Sequence, residues 1–472
     1  MNLESIVFPA YAAILGLLAI YGLHRVAMLA RFRWQEAPVP EASAAGTPTV
    51  TVQLPVFNER TVAARLIRCA GELDWPKERL EIQVLDDSTD ETRGIVDAAV
   101  ARLREDGLDA RVIRRADRHG FKAGALDHGL AQSRGEFVCI FDADFEPAPD
   151  FLRKLMPHFA DARIGMVQAR WGHANREDNF LTRAESTLLD GHFVIEHKVR
   201  HDSGLFFNFN GTAGIWRRAA IDGAGGWQHD TLTEDLDLSY RAQLAGWKFV
   251  YAPMVVAPAE VPPDIAAFKS QQHRWAKGSV QVFKKLGWHI LTSKEPLSVK
   301  LEALAHLTGN VGYPCVLLLA LLMPLAIRNM PDYPAWMHVG MFFVCTISVL
   351  MFYEQSQRAI GRPLFRRSSD IVAAVVLGIG MCVSQTRAVL EGLLPGTGIF
   401  VRTPKKGDGA SKTYRAIWKG LPGIELVLAA WFAWAIHGAV QLALWGTLPF
   451  LLLFFASFAW VGGMSLKSFV RG

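Results

Sequence analysis

The chain's scarcities narrow its class before any motif does. Among 472 residues there are only five cysteines, Cys69, Cys139, Cys315, Cys345 and Cys382. They are widely spaced and form no CxxC pair, so neither a disulfide framework nor a zinc knuckle organises the molecule. They read as small buried hydrophobes. Charge is scarce as well, at 20% of residues against 51% hydrophobic, a balance that excludes a disordered chain and is too oily for an ordinary soluble domain. No strong excess of one sign exists, since 50 basic and 45 acidic residues leave +5. Lys and Arg do not gather on one motif, so nucleic acid is not an expected partner. The histidines His119, His128, His173, His192 and His197 make no recognisable metal motif and read as solvated or packed.

The apolar residues are segregated. Residues 6–29 carry almost no charge before His24 and Arg25, and at ~1.5 Å rise per residue such a run crosses a hydrocarbon core about 30 Å thick. Arg25, Arg31 and Arg33 follow the run, the reverse of a signal peptide, and the positive-inside rule then puts the amino terminus outside and residue 31 onward in the cytoplasm. Past Lys300 the candidate spans are residues 304–327, 336–352, 424–444 and 448–464, with the link 328–334 making the first two a hairpin. Residues 371–394 are also apolar, but Arg358, Arg362, Arg366 and Arg367 precede them, and Arg402, Lys405, Lys406, Lys412, Arg415 and Lys419 follow. With both flanks cytoplasmic, and with Arg387 and Glu391 inside the run, this stretch is expected to lie as an interfacial or re-entrant helix. The expected organisation is an anchor at 1–33, a cytoplasmic domain at 34–300, and a membrane domain at 301–472 with four spans and that one interfacial helix. Five crossings return the carboxyl terminus, with Lys467 and Arg471, to the cytoplasm.

Within 34–300, β-rich runs at 49–56, 80–85, 110–113, 136–141 and 164–170 alternate with helical patterns at 59–69, 91–104, 122–131 and 150–159. This alternation predicts an α/β fold with a mostly parallel sheet covered on both faces, and such sheets bind ligands beyond the carboxyl ends of their strands. Asp86 and Asp87 close the second run, and Asp142 and Asp144 the fourth. Asp is common in turns, but two pairs at two strand ends form a crowd of carboxylates that a cation or ligand must answer. Asp142-Ala143-Asp144 offers two oxygen ligands to a hard divalent cation that could neutralise a sugar-nucleotide diphosphate. Thr233-Glu234-Asp235 opens a helical pattern to Leu244. Thr233 is a candidate cap, and Asp235 a candidate base for a sugar hydroxyl. Gln271, Arg274 and Trp275 share one helix face, where Arg can fork onto phosphate and Trp can support a sugar ring. The alternative for Trp275 is an anchor at the membrane interface.

Seven segments in order resemble the membrane-embedded family 2 glycosyltransferases, the cellulose-synthase-like group, and within it the plant mannan/glucomannan synthases and xyloglucan-backbone synthases. They are VLDDSTD at 84–90, KAGAL at 122–126, FDADFEP at 141–147, QARW at 168–171, FNGTAGIWR at 209–217, TEDLDLSYR at 233–241 and QQHRW at 271–275. Similarity is weaker through RAVLEG at 387–392 and VRTPKKG at 401–407. The resemblance implies a GT-A catalytic domain, Rossmann-like in its sheet, and a metal-dependent hexosyltransferase. It implies that Asp87, with Asp86 beside it, lies near the nucleotide base, and that Asp142 and Asp144 bind the diphosphate and Mg2+ or Mn2+. It further implies Lys122, Gln271 and Arg274 on the donor, and Asn210, Gly211, Thr212, Glu234 and Trp275 on the acceptor, with Asp235 as general base. Residues 401–407 correspond less well to the gating loop of processive synthases, whose FxVTxK pattern reads FVRTPKK here.

The expected reaction is therefore inverting transfer of a hexose from UDP-glucose or GDP-mannose to the non-reducing end of a growing β-linked polymer, most simply β-1,4, with export across the plasma (inner) membrane. The competing expectation is single transfer to a membrane lipid, as in ceramide glucosyltransferase-like relatives. An exporting bacterial system would call for periplasmic or outer-membrane partners. The chain has no room after Gly472 for a cyclic-di-GMP-binding PilZ domain, so that mode of regulation is not expected.

Overall fold

The computed structural model describes residues 4–35, 46–328, 335–396 and 422–471. Seven strands build one sheet: β1 (Val50–Val56), β2 (Leu80–Asp86), β3 (Asp109–Ile113), β4 (Phe137–Ile140), β5 (Ile164–His173), β6 (Gly214–Arg217) and β7 (Lys248–Ala259). Their order is β3-β2-β1-β4-β6-β5-β7. The first five follow the apolar runs of the sequence, and helices cover both faces. Alternate side chains of β4 accordingly enter different cores, Phe137 and Cys139 on one side and Val138 and Ile140 on the other, as the two-residue period of a strand requires. Cys139, Cys315 and Cys382 are buried, Cys69 and Cys345 half-buried, and all five are free thiols.

Two topological features place the site. Strands β3, β2, β1 and β4 are mutually parallel, and the order reverses between β1 and β4, which is where an open α/β sheet leaves a crevice. Strand β6 runs antiparallel to both β4 and β5. Because it runs backwards, the loop that feeds it, residues 208–213, meets the carboxyl end of β4. There Thr212 Oγ1 accepts from the Asp142 amide at 2.8 Å.

Helices flank this domain on both sides. Ile6–Arg31, Leu297–Ile327, Gly423–Gln441 and Trp445–Val470 are each long and apolar enough to cross a membrane. Val7, Tyr11 and Leu15 of the first helix share a core with Met323, Phe432 and Phe454, so both ends of the chain enter one bundle. The stretch 336–352 lies within the helix Ala335–Ala359. The stretch 371–394 is two helices, Leu364–Gly380 and Cys382–Leu393, bent by 50°. Arg387 and Glu391 pair there at 2.7 Å, and Glu391 also meets His273 at 3.1 Å and Lys277 at 3.6 Å. The charged pair thus turns towards the helix Ile265–Thr292. The link 328–334, the basic run 402–419 and the gating-loop candidate 401–407 lie outside the described residues, the link save for Arg328.

Candidate active site

The acids at the strand tips divide according to the pleat. Asp86, still within β2, is buried, its Oδ2 on Arg114 Nε at 2.8 Å and its Oδ1 accepting from the Ser88 amide at 3.0 Å. It does not line the cleft. Asp87 does, gripped by both Arg115 Nε and Nη2, with Arg118 Nε at 3.8 Å. The Arg118 guanidinium covers the Phe57 ring, so a cation and an aromatic face flank Asp87.

The cleft encloses about 210 Å³ and collects Asp87, Lys122, Asp142, Asp144, Asn210, Gly211, Glu234, Asp235, Gln271, Arg274 and Trp275 on one surface. Thr212 is fully buried behind it. Lys122 stands at the centre, with Nζ 2.6 Å from Asp142 Oδ1 and 2.9 Å from the Gly211 carbonyl. Burial works against its charge, but Asp142, Glu234 and Asp235 outweigh burial and raise it above the usual lysine range. Glu234 and Asp235 begin the helix Glu234–Leu244. Thr233 occupies the cap position, yet its side chain makes no capping bond. A Cβ at Gly278 would fall 2.5 Å from Thr233 Oγ1, so the close approach of the Ile265–Thr292 helix uses that space.

Asp235 is the most perturbed acid of the cleft. Burial and the neighbouring Glu234, only partly offset by Lys122, push it up to about 7. Burial raises Glu234 too, against the pull of Lys122. Gly211 faces this base with φ +80°, and a Cβ there would lie 3.0 Å from Asp235 Oδ2. Glycine therefore serves both the backbone conformation and the clearance beside the carboxylate. On the opposite wall Gln271, Arg274 and Trp275 come from one face of the 265–292 helix, and Trp275 stands 6.4 Å from the ring of Trp171.

The residues present suit a hard divalent cation. Among the described residues no group of three His, Cys, Asp or Glu could hold a metal, but Asp142 and Asp144 lie two apart on the cleft wall. Asp142, Glu234 and Asp235 all face Lys122 in this cleft. Two carboxylates with open positions fit an ion that arrives with phosphate oxygens and water.

Trp171, His173, Phe57 and Arg118 also line the cleft, and the sequence reading gave them no role. Trp171 and His173 end β5, and their signal was a strand tip carrying large polar-edged rings. Phe57 follows β1 at the reversal of strand order and was readable only once that order was known.

The model of glycosyl transferase family group 2 matches residues 137–353. Glucomannan 4-beta-mannosyltransferase 2 of Arabidopsis thaliana is 38% identical over 371 residues, 72% of this chain and 70% of that protein. Glucomannan 4-beta-mannosyltransferase 1 of Oryza sativa subsp. japonica is 35% identical over 420 residues, 83% and 77% of the two chains. Among solved structures, mannosyltransferase PcManGT from Pyrobaculum calidifontis in complex with GDP-Man and Mn2+ has the same fold, with a TM-score of 0.55 at 22% identity over 83% of this chain and 99% of that one. A GT-A-like sheet between membrane helices, with this identity over most of both chains, makes the protein a multi-pass, nucleotide-sugar-dependent glycosyltransferase: it belongs to family 2, among the relatives of the plant glucomannan and mannan synthases.

Proposed function

We propose that the protein transfers mannose from GDP-mannose, with inversion, to the non-reducing end of a β-1,4-linked mannan-type polymer. The observation that carries this reading is Asp235, a carboxylate raised to about 7 and set beside Lys122 and the Asp142 strand tip in one cleft. The names of the relatives as 4-beta-mannosyltransferases support mannose and the 4-linkage, and the GDP-Man of the Pyrobaculum calidifontis structure supports the nucleotide.

In the proposed step the acceptor's O4 forms a bond to C1 of the donor while the bond from C1 to the phosphate oxygen breaks, and GDP leaves. The hydroxyl proton passes to Asp235, which must lie within roughly 2.6–3.2 Å of that oxygen. A single displacement turns an α-linked donor into a β product. Asp87, with Arg118 and Phe57 beside it, binds the base. Lys122, Gln271 and Arg274 hold the diphosphate, since cationic and forked donors match phosphate oxygens. Mg2+ or Mn2+ held by Asp142 and Asp144 supplies neutralisation of the leaving diphosphate when bound. Asn210, Gly211 and Glu234 bind acceptor hydroxyls and Trp275 supports the ring face, with Thr212 holding their loop against Asp142.

The domain boundaries 1–33, 34–300 and 301–472 belong to the same proposal, with the catalytic domain in the cytoplasm and the bent 364–393 segment along that side of the plasma membrane. The polymer leaves between the spans as it grows. Membranes containing the protein, incubated with radiolabelled GDP-mannose or UDP-glucose and followed by linkage analysis, test the reading. A long mannose polymer with 4-linkages supports it. Glucose incorporation alone overturns the donor, and a lipid-soluble monoglycosylated product overturns the polymerase.

A further inference from the structure

Two histidines lie behind the acceptor wall. The helix Phe180–Asp190 continues without interruption into a π-helical turn, Gly191–His197, and then into Lys198–Asp202. In an α-helix residues five apart point about 140° away from each other, so His192 and His197 could not meet. The wider turn brings them to one side with ring centroids 4.3 Å apart. Turns of this kind are rare and concentrate at functional sites.

Both rings engage the side-chain amide of Asn210. His197 Nε2 is 2.7 Å from Asn210 Oδ1 and 3.0 Å from the Asn208 carbonyl oxygen. Both are acceptors, so Nε2 carries the proton, and the buried Nδ1, which has no partner among the described residues, carries none. Burial first, and then the neighbouring His192 and Arg200, push this imidazole well below the usual histidine range, so it is neutral. His192 Nε2 is 3.0 Å from Asn210 Nδ2. That nitrogen only donates, so His192 Nε2 accepts and its proton sits on Nδ1, 3.2 Å from Glu196 Oε2. The two tautomers read the amide from opposite ends, and a flipped amide would set donor against donor and acceptor against acceptor. One N–H and one lone pair of the amide stay available.

The support behind His192 is fixed in turn. Glu196 Oε2 also accepts from Arg200 Nη1 at 3.1 Å, Arg200 Nε reaches Glu302 at 3.0 Å, and Glu302 meets His24 of the first membrane helix at 2.8 Å.

We propose that His192 and His197 are positioning residues for the transfer: they lock the Asn210 amide in the one orientation that presents its remaining N–H and lone pair to the acceptor sugar. The inference rests on the reading of the cleft as a mannosyl-transfer site. A part-buried amide left without one partner is expected to weaken acceptor binding about tenfold.

The test measures KM for GDP-mannose and for a short β-linked manno-oligosaccharide with purified full-length protein. His192→Leu is expected to raise the oligosaccharide KM about tenfold while leaving the GDP-mannose KM within twofold. His192→Gln, whose amide oxygen can accept where Nε2 did, is expected to restore it. His192→Asn, whose amide sits at the Nδ1 position, is expected not to, and it stands in for the leucine variant if that protein does not fold. An unchanged oligosaccharide KM, a fall in kcat alone, or equal behaviour of Gln and Asn overturns the proposal. If the unaltered protein makes no mannosyl product, the reading of the cleft fails first. If it does and only the variant pattern fails, the cleft reading stands and the histidine role falls.

Discussion

Two sets of buried carboxylates in this protein have opposite surroundings. On the seam between the catalytic domain and the membrane helices, Asp190, Asp370 and Glu425 each meet at least one cation; Glu185 is the exception, with neither oxygen bonded among the described residues and its carboxyl pushed well above the usual range by burial. Asp190 takes Arg176 at 2.6 Å, Gln357 at 2.8 Å and His173 at 3.2 Å. Despite burial, His173 first, then Arg176 and Gln357, hold it well below the usual carboxylate range. Asp370 takes Arg362 at 3.0 Å, and Glu425 takes Lys269 at 2.6 Å. In the cleft, Glu234 and Asp235 share Lys122 with Asp142 and both titrate high. Asp190, Asp370 and Glu425 were folded in with a cation beside each. The cleft acids are incompletely matched, which leaves charge for a substrate to answer and a base with an affinity for protons.

The largest effect expected from breaking this contrast is at Asp235. Asp235→Asn should lower kcat by roughly 10²–10⁴-fold, the range for removal of a general base, with the protein still folded in a thermal melt. The same carboxyl should give unaltered protein an acidic limb in kcat/KM near pH 7. Its folded value of about 7 lies above an unfolded value of ~3.9. Its contribution to stability is thus fully present below the unfolded value and is lost as pH rises towards 7. Asp235→Asn should flatten that part of the stability profile, and an unaltered slope would count against a buried carboxyl there.

Next in size is the seam. Lys269→Met leaves Glu425 buried without its cation, which should cost about 3–5 kcal/mol, whereas Lys269→Met with Glu425→Leu should recover most of it. Thermal unfolding in detergent distinguishes the two. If the double variant is no better than the single, the pair is not an isolated ionic contact.

A smaller contrast separates two adjacent acids. Asp86→Asn should reduce stability more than Asp87→Asn, because Asp86 is locked by Arg114 and the Ser88 amide. Asp87→Asn should raise the donor KM more, by about tenfold for a lost charged hydrogen bond. Equal effects of the two would erase the distinction made by the pleat. Smallest is Glu391→Gln on the rim. Its pairs with Arg387, His273 and Lys277 are partly exposed, so the expected loss is under about 1 kcal/mol, read by the same melts.

The sequence disclosed what local chemistry writes into it. Strands β1–β5 each coincide with a β-rich run of the sequence, and the acids at β2 and β4 stand where such runs stop. Strands β6 and β7 were hidden for physical reasons. The first is four residues long. The second carries Pro253 and Pro258 and a register shift opposite Ala169 and Arg170, and proline argues against a strand interior. The segments TEDLDLSYR and QQHRW pointed to cleft walls, but the separation of Asp86 from Asp87 depends on which side of the sheet each faces. His192 and His197 gave no signal either. Their five-residue spacing pairs only on a π-turn, and nothing in the local composition announces one.

The tie from Lys269 to Glu425 and the tie from Arg200 to Glu302 have a practical corollary for anyone wishing to express the enzyme as a water-soluble fragment. Trimming the hydrophobic ends would delete both anions, leaving the Lys269 ammonium without its carboxylate and the Arg200 guanidinium with Glu196 alone, two hydrogen bonds from the rings that hold Asn210. Such a fragment would be a different molecule rather than a smaller one, and its kinetics would report on the excision.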